Sequence, residues 1–274
     1  MDKHSYTQLI EKTKELRKTI ITMVYEAGSG HPGGSLSAID VMTVLFYNKM
    51  NHTPSNPKLI NRDRFILSKG HIAPALYAIL GDFGYFDKNE LHTLRKYGSI
   101  LQGHPDMMKT PGIEVSSGSL GQGLSIATGV ALGGKMDNNS FRVYCLMGDG
   151  ETQEGQIWEA AMAAGHYKLD NLCGIVDFNG LQIDGKVEDV MDVNPMKDKW
   201  RAFNWNVIEI DGHDIAEIDK AFEQGKEYKG KPTVIIAHTV KGKGVSYMEN
   251  KPGWHGKAPS DEQYQIAIEE LNRL

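Results

Sequence analysis

Cysteine is nearly missing: Cys145 and Cys173 are the only two in 274 residues. A disulfide framework is excluded, and because both lie in apolar runs they read as reduced, buried thiols of a cytoplasmic protein. Basic clusters are missing too. Thirty Lys and Arg stand against 35 Asp and Glu, a formal charge of −5 with no block of one sign, so neither nucleic acid nor a membrane is an expected partner. No apolar run reaches the roughly 18 residues of a membrane-spanning helix, and the opening MDKHSYTQLIEKTKELRK is polar and helical in period, unlike a secretory leader. No repeat, low-complexity tract or long linker breaks the chain. One domain over residues 1–274 is expected, with about 240–274 forming an extension that ends in a helix. His-x₃-His and Cys-x₂-Cys spacings do not occur, which disfavours zinc. The nicotinamide fingerprint is absent as well: Gly118–Gly123 reads G-x-x-G-x-G, and Asp137 precedes the next strand rather than closing it.

What is abundant is glycine, 30 of 274 residues against a usual ~7 %. The glycines fall at the ends of short apolar runs. Residues 6–27 carry Leu9, Leu16, Ile20, Met23, Val24 and Ala27 at helical spacing, and Gly28 is the stop. A second helix is expected over about Leu36–Met50. Phe65–Leu67, Arg142–Met147, Leu172–Asp177, Val207–Ile210 and Thr233–Ala237 read as strands, with helices at Leu124–Gly134, Gln156–Tyr167, Met196–Phe203 and Ile215–Lys226 between them. Asp214 with Glu217, and Ser260 with Gln263, have capping-box spacing. Strands alternating with helices predict an α/β fold, a doubly wound parallel sheet with helices on both faces. Such sheets bind ligands beyond the carboxyl ends of their strands.

Two of those ends are rich in oxygen. Gly148-Asp149-Gly150 follows one strand and Phe178-Asn179-Gly180-Leu181 follows another. Each tripeptide or tetrapeptide alone is most often a plain turn. Placed one βαβ crossover apart, they offer a carboxylate, an amide oxygen and a main-chain carbonyl, a set suited to a hard cation such as Mg²⁺ or Ca²⁺ with phosphate oxygens completing its shell. The adjoining glycines let backbone N–H groups approach an anion. Four histidines, His31, His71, His104 and His255, are flanked by glycine or proline at loop tips, where imidazoles can converge and handle protons. His4, His52, His92 and His166 read as structural or solvated.

GSGHPGGSLS, SKGH, GHP, SSGSLGQGLSIATGVAL, GDGETQEGQIWEA, DFNGLQIDG and WHG, in this order, together resemble the thiamine-diphosphate-binding half of the transketolase family across nearly the whole chain. The resemblance implies the N-terminal subunit of a split transketolase, which with a C-terminal, pyrimidine-binding partner transfers a two-carbon ketol unit from a ketose to an aldose. It implies thiamine diphosphate and Mg²⁺ (or Ca²⁺ or Mn²⁺) as cofactors, sugar substrates, and a homodimer core within a heterotetramer. By the same resemblance Asp149, Asn179 and the Leu181 carbonyl hold the metal, while His71, Gly150, Gly118, Ser119 and Leu120 contact the cofactor. The family often has proline where Ser119 stands and isoleucine where Leu181 stands. His31, His104 and His255 face the reacting carbon and the sugar hydroxyls, with His255 also touching the cofactor, and Glu154 links active sites across the dimer. Sulfonated or unphosphorylated ketoses, a deoxyxylulose-phosphate-synthase-like activity and 2-oxo acid decarboxylation are the alternatives.

Overall fold

The structure is a computed structural model that describes residues 3–274. Helix α1 (Tyr6–Ala27) begins with a capping box in which Ser5 and Gln8 each accept the other's backbone N–H, and ends where Gly28 turns left-handed at φ 61°. Helix α2 (Pro32–Val44) starts four residues ahead of expectation and runs on through a π-helical turn at Leu45–Lys49. Pro32 in its first turn is favourable there, and position 33 requires glycine because a Cβ there would lie 2.8 Å from the Trp254 carbonyl oxygen. The glycine pair that reads as a loop is thus a close backbone crossing.

The chain continues through β1 (Arg64–Leu67), α3 (Ala73–Phe83), α4 (Gln122–Met136), β2 (Val143–Gly148), α5 (Gly155–His166) and β3 (Leu172–Phe178). A small hairpin, β4 (Leu181–Gln182) and β5 (Gly185–Lys186), precedes α6 (Val187–Met191) and α7 (Met196–Ala202), and then come β6 (Asn206–Asp211), α8 (Ile215–Glu227), β7 (Thr233–His238) and α9 (Asp261–Arg273). Asp214 caps α8 by accepting from Ala216 and Glu217, but Glu217 accepts from Asp211 N rather than returning to Asp214, so that capping box is only half made. The box at Ser260 and Gln263 is complete.

Five strands form one parallel sheet in the order β1-β2-β3-β7-β6, confirming the doubly wound expectation. The connection from β3 to β6 skips a position that β7 then fills. Period-2 alternation sorts the strand residues into two cores. Phe65, Leu67, Tyr144, Leu146, Ile175 and Ile235 pack with α1, α2, α3, α8 and α9. Ile66, Val143, Met147, Val176, Val234 and Ile236 pack with α4, α5 and α7 on the other face. Both cysteines are buried and unpaired, and burial raises both thiols, that of Cys173 to about 12. Among the described residues no helix is long and apolar enough to cross a membrane.

Candidate active site

Register places the site. Gly148 pairs with Asp177 across β2 and β3, so the loops that follow leave the sheet side by side. The Asp149 carboxylate, 2 % exposed, accepts from Gly150 N at 2.8 Å and from Gly180 N at 2.6 Å. Across the gap Asn179 Oδ1 accepts from Leu181 N at 3.1 Å, and the Leu181 carbonyl accepts from the Lys241 ammonium at 3.2 Å. Burial, then the neighbouring Asp177 charge, push the Asp149 carboxyl up to about 6. Asp177 is held below the usual range: burial opposes this, but Lys69 at 2.7 Å, Ser37 and Thr239 outweigh it.

Glu151 braces the loops from beneath. It is 3 % exposed and accepts from the Ser68 hydroxyl, Gly121 N and Gly148 N, joining the ends of β1 and β2 to the start of α4. Close approach there demands glycine, since a Cβ on Gly123 would lie 2.4 Å from Ser68.

The four loop-tip histidines meet. Ring centres lie 5.2 Å apart for His31 and His71, 5.3 Å for His31 and His255, 5.0 Å for His71 and His255, and 6.2 Å for His31 and His104. All four are held in the neutral form. Burial, then the Arg95 guanidinium, take His31 down to about 4; burial, then Lys241, take His255 down to about 3. His71 and His104 are lowered chiefly by burial too. Arg95 Nη2 donates to His31 Nδ1 at 3.4 Å, and Lys241 Nζ donates to His255 Nδ1 at 3.1 Å. Neither cation can accept, so both imidazoles carry their proton on Nε2.

The four histidines, Asp149, Asn179, Leu181 and Lys241 line one cleft of about 350 Å³, together with Gly118, Leu120, Gly150 and Glu154. Glu154 is exposed at its rim; Ser119 is also exposed but lies outside the lining. The N–H of Gly150 is taken by Asp149, so what that glycine offers a ligand is closeness rather than a free donor. His52 is buried between the Tyr85 hydroxyl and the Phe46 carbonyl, as a structural histidine should be.

The residues present fit a metal-bridged diphosphate. Among the described residues no three His, Cys, Asp or Glu side chains gather as a metal site. One carboxylate, one amide oxygen and one main-chain carbonyl nevertheless suit a hard cation that takes its remaining ligands from phosphate and water. The raised Asp149 carboxyl is the kind of group a cation relieves. Lys69 and Lys241, both nearly inaccessible to solvent, line the same cleft as counter-charges for an anion. Lys69, Arg95, Glu151, Asp177 and Lys241 escape the sequence reading. The sign available was a charged residue closing an apolar run, as Asp177 closes Leu172–Val176 and Lys69 follows Phe65–Leu67.

Residues 9–271 match the family described as "Transketolase, thiamine diphosphate binding domain". The chain is 46 % identical over 261 residues to one of the apulose-4-phosphate transketolase subunits, that of Phocaeicola vulgatus, covering 95 % of this chain and 92 % of that protein. It is 46 % identical over 258 residues to the 6-deoxy-6-sulfo-D-fructose transketolase subunit SqwG of a Clostridium species, covering 94 % of each. The crystal structure of transketolase from Campylobacter jejuni superposes with a TM-score of 0.93 at 37 % identity, covering 98 % of this chain but 43 % of that one. The chain therefore matches the two relatives named as subunits nearly end to end and spans less than half of that longer transketolase.

Proposed function

The chain belongs to the transketolase family through its thiamine-diphosphate-binding domain, and from that premise we propose that it is the N-terminal subunit of a split transketolase, a transferase moving two-carbon ketol units from a ketose to an aldose. The observation that carries this reading is the pairing of Asp149 with Asn179 and Leu181 at adjacent strand ends, in one cleft with four neutral histidines.

Asp149, Asn179 and the Leu181 carbonyl would hold Mg²⁺ beside the diphosphate. When bound, thiamine diphosphate would supply the electron sink for the transfer. Lys69 and Lys241 would offset the diphosphate charge, His71 would contact it, and Gly118 and Leu120 would flank the ring. His31, His104 and His255 remain uncharged at neutral pH, so they would donate hydrogen bonds to sugar hydroxyls without carrying a fixed charge into the cleft. Glu154 on the rim joins one site to the next across a homodimer core. Residues 1–274 act as one domain, supported by the single five-stranded sheet.

The completed enzyme is a cytoplasmic heterotetramer with a pyrimidine-binding partner chain. Relatives named as transketolase subunits support a second chain. One relative is named for a phosphorylated sugar and another for a sulfonated one; a ketose bearing an anionic group at the end remote from its carbonyl fits both, with that group gripped by the partner. Ketol transfer is measured with this chain alone, the partner alone, and the two together. Turnover only in the mixture is expected. Substantial turnover by this chain alone contradicts the split assembly.

A further inference from the structure

We propose that Asp177 is the positioning residue of the cation site, fixing which end of the Asn179 carboxamide is turned toward the ion, while Lys69 cancels its charge. The inference rests on the metal assignment made above. Asp177 is 1 % exposed, and its carboxylate is the meeting point of four donors from four parts of the chain. Oδ2 accepts from Ser37 Oγ of α2 at 2.6 Å, from Lys69 Nζ after β1 at 2.7 Å, and from Asn179 Nδ2 at 3.2 Å. Oδ1 accepts from the Thr239 hydroxyl just beyond β7.

An ionised carboxylate is acceptor-only, so the one end of the Asn179 amide that can face it is the NH₂ end. Asn179 Oδ1 is thereby left at the opposite end, where it meets Leu181 N and keeps a lone pair. A flipped amide would present N–H dipoles to a cation and repel it. The other acceptor within reach of the NH₂ is the neutral Ser37 Oγ at 3.4 Å, a longer and weaker contact than the charged carboxylate. A buried carboxylate this close to Asp149 would also over-charge the floor of the cleft. Lys69, 3 % exposed, removes that excess.

Two double variants separate the acceptor from the charge. Lys69→Met with Asp177→Asn is neutral yet keeps a carbonyl oxygen facing Ser37 and Asn179, its new NH₂ facing a Thr239 hydroxyl that can turn to accept. Lys69→Met with Asp177→Leu is equally neutral but has no acceptor. Mn²⁺ affinity in the presence of thiamine diphosphate is read from free Mn²⁺ by electron paramagnetic resonance, on the assembled two-chain protein. Both forms lack Lys69 equally, so they are compared with each other: the leucine form is expected to bind Mn²⁺ about tenfold or more weakly than the asparagine form, the usual effect of losing an outer-shell partner. Equal affinity for the two forms overturns the proposal. If the leucine form does not fold, Lys69→Met with Asp177→Ala gives the same comparison. Asn179→Ala in the same titration tests the metal assignment itself: unchanged affinity there refutes that assignment, whereas weakened affinity alongside equal double variants refutes only the positioning role.

Discussion

At the scale of single residues, the cleft is a set of imidazoles kept uncharged by burial and by cations placed behind them. The consequence for stability has a definite sign. In the unfolded chain His31 takes up a proton near its ordinary value of 6.5, but in the folded protein only near about 4. His255 behaves alike, at about 3. Between those limits the unfolded state binds more protons, so stability is complete above pH 6.5 and is lost as pH falls toward 4. Thermal unfolding followed from pH 7 to 4.5 should show a falling midpoint, and His31→Gln should flatten part of that fall. Identical pH profiles for parent and variant would show that His31 titrates normally in the folded chain. Glycine and proline neighbours mark these four histidines in the sequence. What sequence does not disclose is what stands behind them, because Arg95 reaches His31 from 64 positions away.

Between elements, stability rests on a few buried polar junctions and close crossings. Arg17 of α1 grips Asp40 of α2 at 2.5 and 3.0 Å, and His213 Nδ1 donates to the same carboxylate at 2.7 Å while its Nε2 accepts from Val240 N. Removing one partner strands buried charge, so Asp40→Ala is expected to cost about 3–5 kcal/mol. Chemical denaturation measures this, and cofactor binding by the folded fraction should persist because the cluster lies outside the cleft lining. At the other junction, Gly123→Ala drives a methyl into Ser68, the hydroxyl that holds Glu151. A loss of about 1–3 kcal/mol is expected from such overpacking, accompanied by weaker cofactor binding; a variant that matched the parent in both would deny Glu151 its bracing role. Local signals are easily read from sequence: the cap at Ser260, the stop at Gly28, the short apolar run Arg142–Met147. The role of Gly33 is not, because what excludes a side chain there is the Trp254 backbone more than 200 residues away.

For the whole molecule, the sheet order turns two ordinary turns into one site. The composition and the strand–helix alternation are enough to anticipate a parallel sheet with ligands at its carboxyl edge, and the spacing of Asp149 and Asn179 marks which loops carry them. Lys69 and Asp177 pair across 108 positions, and Lys241 comes from beyond the last strand of the sheet. Their place beneath the cleft follows from register, which no local pattern encodes. The chain brings together two oxygen-rich loops, a histidine cluster and an open cleft, and spans 43 % of a longer transketolase of the same fold. The claim on which all of this turns is that the loops after β2 and β3 jointly hold a divalent cation and a diphosphate. Calorimetric titration of thiamine diphosphate with Mg²⁺ into the assembled two-chain protein tests it most directly. Metal-dependent binding is predicted for the parent and, at unchanged circular dichroism, binding weakened about tenfold or more in Asp149→Ala and Asn179→Ala; parental affinity in both variants would contradict it.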